Sequence, residues 1–212
     1  MAQPAVSGSS ITALSRIHNS TLLGPVAANE TGDIFILCPT GCHVLWKYSE
    51  RCLAVAVCEA AVFGPPAEDG SLSIGLVFGE AQGSLKFLHI SLSFCSQCAS
   101  CQPQGTTGAC RWSECSASGH SSNLQHPTDH AQHYHRDQIS SISIQGSHVL
   151  VAGRDGQARV YLWPHPGLPP VLKAQLSSPT TQFELGAFVG SSAVCTIAGD
   201  RTVRLWPLTS CT

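Results

Sequence analysis

Apolar residues along this chain are gathered in short runs separated by turn-forming residues, and the clearest example lies near its end. Ala193-Val194-Cys195-Thr196-Ile197-Ala198 is an apolar run of β-prone residues. Gly199-Asp200-Arg201 supplies turn chemistry, and Thr202-Val203-Arg204-Leu205-Trp206 then alternates. The alternation puts Val203 and Leu205 on one face and Arg204 on the other. Strand, tight turn and strand predict a β-hairpin.

The same design stands 45 residues earlier. His148 to Ala152 is its first strand, Gly153-Arg154-Asp155-Gly156 its turn, and Ala158 to Trp163 its second strand. Aligning Asp155 with Asp200 sets Tyr161 opposite Trp206, each six residues after its Asp. A third copy runs from Ser73 through Gly79-Glu80-Ala81-Gln82-Gly83 to Leu88, with Gln82 at the Asp position. A fourth runs from Leu22 through Asn29-Glu30-Thr31-Gly32 to Leu37. Each hairpin follows another strand-like segment, starting near Ile11, Leu53, Ile139 and Phe183, at spacings of 42, 86 and 44. Because 86 is twice 43, one interval is of double length. A period of 40 to 45 residues with several strands per unit is that of a β-propeller.

The chain resembles the WD-repeat β-propeller family. The resemblance rests on Asp200-Arg201-Thr202-Val203-Arg204-Leu205-Trp206, similar to the family's blade signature. It rests also on His135-Arg136-Asp137-Gln138-Ile139, similar to its His-x-Asp-x-Val blade opening. It covers roughly residues 10–91 and 135–208. It implies that His135, Asp155, Tyr161 (in place of Trp), Asp200 and Trp206 belong to the hydrogen-bonded network that pins each blade. Trp163 and Trp206 are followed by Pro where the family usually has Asp, and the first two units lack the turn Asp. Four units are fewer than the seven commonest in the family. The expected fold is therefore all-β: a partial WD-repeat β-propeller of about four blades with a Cys/His-rich loop insert. It would be the C-terminal part of a larger scaffold, or a set that closes its ring with a second chain. The expected organisation is a flexible segment 1–9, two degenerate blades in 10–92, the insert 93–134, and two better-defined blades in 135–212. The resemblance implies a non-enzymatic platform for protein–protein interaction within a multiprotein or ribonucleoprotein complex.

The insert breaks the strand pattern. Ser, Gln and Gly dominate residues 93–134, which read as a long low-complexity loop. It also holds Cys95, Cys98, Cys101, Cys110 and Cys115, with His120, His126, His130 and His133. Cys95-x-x-Cys98 has the gap that aims two thiolates at one tetrahedral zinc. Cys110 and Cys115, or His130 and His133, are the alternatives for a second pair. The second pair has no standard spacing, so incidental Cys and His in a low-complexity insert is the reading adopted. A zinc module on Cys95, Cys98, Cys110 and Cys115 is the rival, and no other cofactor is expected. Trp112 stands beside Arg111 in this polar stretch with no core to join, which suits a hook for a partner.

Composition narrows the classes further. Of 212 residues 11% are charged, with 19 Gly and 13 Pro, which disfavours long surface helices. The net charge of −2 gives no field that would steer the chain to nucleic acid. Arg154, Arg159, Arg201 and Arg204 do cluster around the last two hairpins. An RNA-contacting subunit is the second alternative, although Arg159 and Arg204 are read as an outward, solvated face. Apolar runs stay short of the ~18 residues of a membrane span. An odd number of cysteines, 11, and a start without signal-peptide character point to a reducing compartment, cytoplasmic or nuclear. Neither a nucleophile elbow, a P-loop nor a dinucleotide fingerprint occurs, so no enzyme and no small-molecule substrate are expected.

Overall fold

The computed structural model describes residues 10–18, 25–29, 34–38, 41–46, 55–65, 68, 72–92, 135–165, 168, 170–178 and 181–208. Among them there are strands and no helix. The first sheet comprises β1 (Ile11–Ser15), β3 (Val26–Asn29), β4 (Ile34–Cys38) and β5 (Gly41–Trp46), in the order β1-β3-β4-β5. The second has the order β2-β6-β7-β8, with β2 (Ile17–His18), β6 (Val55–Val62), β7 (Leu72–Glu80) and β8 (Leu85–Leu92). The third is the meander of β9 (Ile139–Gln145), β10 (His148–Gly153), β11 (Gln157–Leu162) and β12 (Val171–Ser177). The fourth is β13 (Phe183–Val189), β14 (Ala193–Ala198) and β15 (Val203–Pro207). All neighbours pair antiparallel except β2, which adds to β6 in parallel.

One irregularity repeats through all four sheets. The strand that opens the antiparallel run of each sheet, β1, β6, β9 and β13 (its first strand hereafter), carries a β-bulge at its second residue: Thr12, Ala56, Ser140 and Glu184 each lack an opposite number. These positions lie 44, 84 and 44 residues apart in the sequence. A bulge inserts one unpaired residue and bends the strand, so the four sheets share one geometry at the start of their antiparallel runs. These first strands also follow one another in space. β1 packs on β6, β6 on β9, and β9 on β13. No substantial packing brings β13 back to β1 among the described residues, so the series does not close.

Side chains from facing sheets form the core. Val77, Leu85 and Phe87 of the second sheet meet Ile142, Val149, Val151, Tyr161 and Trp163 of the third. Phe87 meets Tyr161 and Trp163 edge to face, at centroid distances of 5.5 and 5.1 Å. Phe63 meets Trp163 in the same way at 5.2 Å. Such pairs add about 1 kcal/mol beyond area burial. At two positions on β7 this junction is too close for a side chain. A Cβ built at Gly79 would stand 2.7 Å from Ile139, and one at Gly75 2.7 Å from Trp163. On its other face the third sheet presents Leu150, Ala152, Ala158 and Val160 to Phe183, Val194 and Ala198 of the fourth.

Two expectations about the basic strands are corrected here. Arg159 is buried rather than solvated, because cross-strand pairing with Val151 puts it on the face that meets the second sheet. Its guanidinium donates to Gln157 Oε1 at 2.8 Å. On β15 the faces are reversed. Arg204 is half-buried, whereas Val203 and Leu205 are 67% and 65% exposed. The reason is register. Arg204 pairs with Thr196 and so turns toward the third sheet, while Val203 and Leu205 pair with Ile197 and Cys195 on the side that nothing described covers. Two strands lay outside the hairpin pattern altogether, β5 and β12, and each adds a fourth strand to its sheet. The segment ITALSRI, expected as one strand, divides into β1 and β2 between two sheets.

Candidate functional site

The third sheet holds the polar constellation on which the sequence reading converged. Asp155 sits in the β10–β11 turn, and His135 approaches from the segment that leads into β9. The His135 side chain is wholly buried and the Asp155 side chain is 4% exposed. An ionised carboxylate only accepts, so His135 Nδ1 donates to Asp155 Oδ1, at 2.9 Å. The backbone N–H of Gln157 donates to the same oxygen at 3.1 Å, and that of Arg136 to Oδ2 at 3.0 Å. Burial works against the Asp155 carboxylate, but the His135 hydrogen bond and charge and the two amides outweigh it, holding its pKa below the usual value. His135 Nε2 is buried and has no hydrogen-bond partner among the described residues.

Backbone contacts tie this cluster to its neighbours. His135 N–H donates to Gly83 O at 3.0 Å, which docks the segment on the turn of the second sheet. Gly153 and Gly83 leave room for it. A Cβ on Gly153 would run into the His135 ring, and one on Gly83 into the His135 carbonyl. Gly156, at φ 74°, turns the chain next to Asp155.

Tyr161 is fully buried between the second and third sheets. Burial pushes its hydroxyl up to about 12, with Arg159 opposing as a charge and hydrogen-bond donor. Trp163 is also buried, and its Nε1 donates to Leu168 O at 2.9 Å. In the fourth sheet Asp200 is exposed. It accepts from the Thr202 N–H at 3.0 Å and from Thr202 Oγ1 at 2.6 Å, and these bonds lower its pKa. Trp206 is half-buried and donates from Nε1 to Thr196 Oγ1 at 2.9 Å. The structure thus joins His135 to Asp155 directly. It sets Tyr161 on the facing interface and leaves Asp200 and Trp206 in a separate sheet.

Cys95, Cys98, Cys110, Cys115 and Trp112 all lie outside the described residues. Among the described residues no cluster of His, Cys, Asp and Glu could hold a metal ion. Cys58 and Cys195 are free thiols; burial, then the Glu59 charge, pushes Cys58 up to about 12.

Sequence reasoning missed the polar stitches between first strands. Ser141 Oγ donates to Gly186 O and accepts from Gly186 N–H, both at 2.9 Å, across the β9–β13 junction. Ser140 Oγ donates to Phe183 O at 2.6 Å. At the other end Glu59 Oε2 accepts from Ser15 Oγ at 2.7 Å and lies 2.9 Å from His18 Nε2. The available signal was the Ser-Ser pair in the apolar strand ISSISI, where a polar pair demands a partner.

No family model matches the chain, and no curated protein matches it. Solved structures of similar fold do exist. The computationally designed Ika4 protein superposes with a TM-score of 0.57 at 16% identity, over 98% of this chain and 99% of that one. BBS1N, crystallised in complex with ARL6DN and soaked with mercury, gives a TM-score of 0.53 at 15% identity over 94% of this chain. This chain spans about half, 51%, of the BBS1N chain. BBS1N contains a β-propeller, and the four sheets are compatible with that fold. No helix among the described residues is long and apolar enough to cross a membrane.

Proposed function

We propose that the chain is a four-blade sector of a WD-repeat-type β-propeller. It acts as a non-enzymatic scaffold for protein–protein interaction within a multiprotein or ribonucleoprotein complex, in the cytoplasm or nucleus. One observation carries the reading: four sheets with the same bulged first strand, those strands packed in series. Radial repetition of such sheets is the propeller architecture. The buried His135–Asp155 pair supports the WD-repeat assignment, since it joins a blade opening to a hairpin turn. BBS1N, of similar fold, is itself seen bound to another protein, ARL6DN.

Co-purification of the full chain under native conditions, read by quantitative mass spectrometry, tests this. The scaffold reading expects a reproducible set of proteins that resists chelation and ribonuclease, and that is lost with Asp155→Ala. A set lost on chelation, or with Cys95→Ser and Cys98→Ser, moves the function to a zinc module in 93–134. A set lost with ribonuclease, with RNA affinity falling steeply with salt, moves it to RNA.

A further inference from the structure

The fourth sheet has one covered face and one bare one. Cross-strand pairing puts Leu185, Ile197 and Val203 in one row of the bare face, and Cys195 and Leu205 in the next. Val189 continues it at the end of β13. Cys195 is half-buried, the others are exposed, from 37% at Ile197 to 67% at Val203, and none is charged. The patch is on the order of 500 Å², near the top of what a monomer leaves bare.

Its place in the fold defines the shape that fits it. It corresponds to the Leu150–Ala152–Ala158–Val160 face of the third sheet, on which the next sheet is seated. The matching surface is therefore the leading face of a bulged first strand, and this chain bears an open one at its other flank. Ile11 and Leu14 on β1 occupy the positions of Phe183 and Gly186 on β13, relative to the shared bulge. They are 57% and 63% exposed. Farther out on that face Ala27 and Phe35 are buried, so the flank is open at its innermost strand.

Resting on the propeller-sector reading, we infer that a second copy of this chain docks here. The bare face of the fourth sheet of each copy seats on β1 of the other about a twofold axis. Two sectors of four sheets make eight, within the range of closed propellers. Two junctions, each burying the patch and its counterpart, exceed the roughly 1,000 Å² that a specific interface needs. A face without charge selects another apolar face over an acidic or basic partner.

Sedimentation velocity of the reduced full chain tests this, with Leu205→Glu on the fourth sheet and Leu14→Glu on the first. Both sites are exposed, so both variants should fold and melt as the parent does; Val203→Glu and Ile11→Glu serve if either does not. Expected is a dimer of the 22.3 kDa chain. Each variant, burying an unpaired carboxylate in both junctions, weakens it about a hundredfold or more. A mixture of the two variants regains dimer, because one of its two junctions carries no substitution. A folded wild-type monomer overturns the inference alone. So does a dimer broken only by Leu205→Glu, which would pair fourth sheets with each other. Loss of cooperative melting in the wild-type chain would instead remove the propeller-sector reading.

Discussion

In the β10–β11 turn Asp155 is buried, accepts from a buried histidine and two backbone amides, and is followed by a glycine at φ 74°. In the β14–β15 turn Asp200 stands in solvent, accepts mainly from Thr202 two residues on, and is followed by Arg201 at φ 65°. The two hairpins share spacing and a turn Asp. They even share the backbone bond that anchors the turn: Arg154 N–H to Gln138 O in one, Gly199 N–H to Gln182 O in the other, both 2.9 Å. What differs in the sequence is the residue three positions before the anchoring glutamine. Counting back from the anchoring glutamines, His135 corresponds to Pro179, which has no side-chain donor. An Asp in a hairpin turn is thus a local turn residue by default, and becomes a tertiary clasp only when a second segment delivers a donor to it.

That contrast is broken most sharply by removing each carboxylate. Asp155→Ala should destabilise the chain by about 3 kcal/mol, because it strands the buried His135 Nδ1–H and two amides. Asp200→Ala should shift the urea midpoint far less, since water replaces its partners. Equal losses in urea unfolding followed by tryptophan fluorescence would contradict this account. pH sharpens it further. The folded pKa of Asp155 is depressed, so its contribution is complete above the unfolded value of about 3.9 and is lost as pH falls through the folded value. Asp155→Asn should flatten that acid limb of the stability profile.

The junctions on the two sides of the third sheet differ in the same direction. A Cβ at Gly79 would press into Ile139 at 2.7 Å, whereas one at Gly186 would meet Leu150 at 3.1 Å and Ala152 at 3.2 Å. The first requires backbone or a branched core side chain to move, the second a few tenths of an ångström. Gly79→Ala should cost about 2 kcal/mol and Gly186→Ala less than about 1 kcal/mol. Thermal melting of the two variants ranks them, and the opposite order would mean that the fourth sheet is the more tightly held.

How much of this was legible in the sequence follows from where each signal originates. Strand starts at Ile11, Ile139 and Phe183 came from local alternation and turn residues, which act within a few positions. β12 was legible in principle, since LKAQLS alternates after Val171, but no turn Asp flagged it. The pairing of β2 with β6 was not legible, because two residues carry no pattern. Faces were the weak point. Alternation separates Arg204 from Val203 and Leu205 but cannot say which side is covered, and on a flanking sheet the apolar side is the bare one. The spacing of His135 and Asp155 marked both residues. Their hydrogen bond could come only from the resemblance, because 19 residues intervene.

The smallest expected effect lies in the turn itself. The second sheet has Gly83 at φ 87° and the third has Gly156 at φ 74° at the position where the fourth has Arg201 at φ 65°. A left-handed conformation costs a residue with a Cβ roughly 1 kcal/mol, and glycine escapes that cost while losing more backbone entropy on folding. The Arg201 residue is exposed. Its N–H donates to Ala198 O at 2.9 Å, a bond that glycine would keep. Arg201→Gly should therefore stabilise the chain by about 0.5 to 1 kcal/mol, read as a small rise in the urea midpoint. Gly156→Ala, the mirror substitution, should destabilise by more than this. Besides the positive φ, its Cβ would stand 2.7 Å from Ser178 O and 2.9 Å from Thr181 O. A neutral Arg201→Gly beside a costly Gly156→Ala would locate the difference in these two carbonyls rather than in the backbone angle.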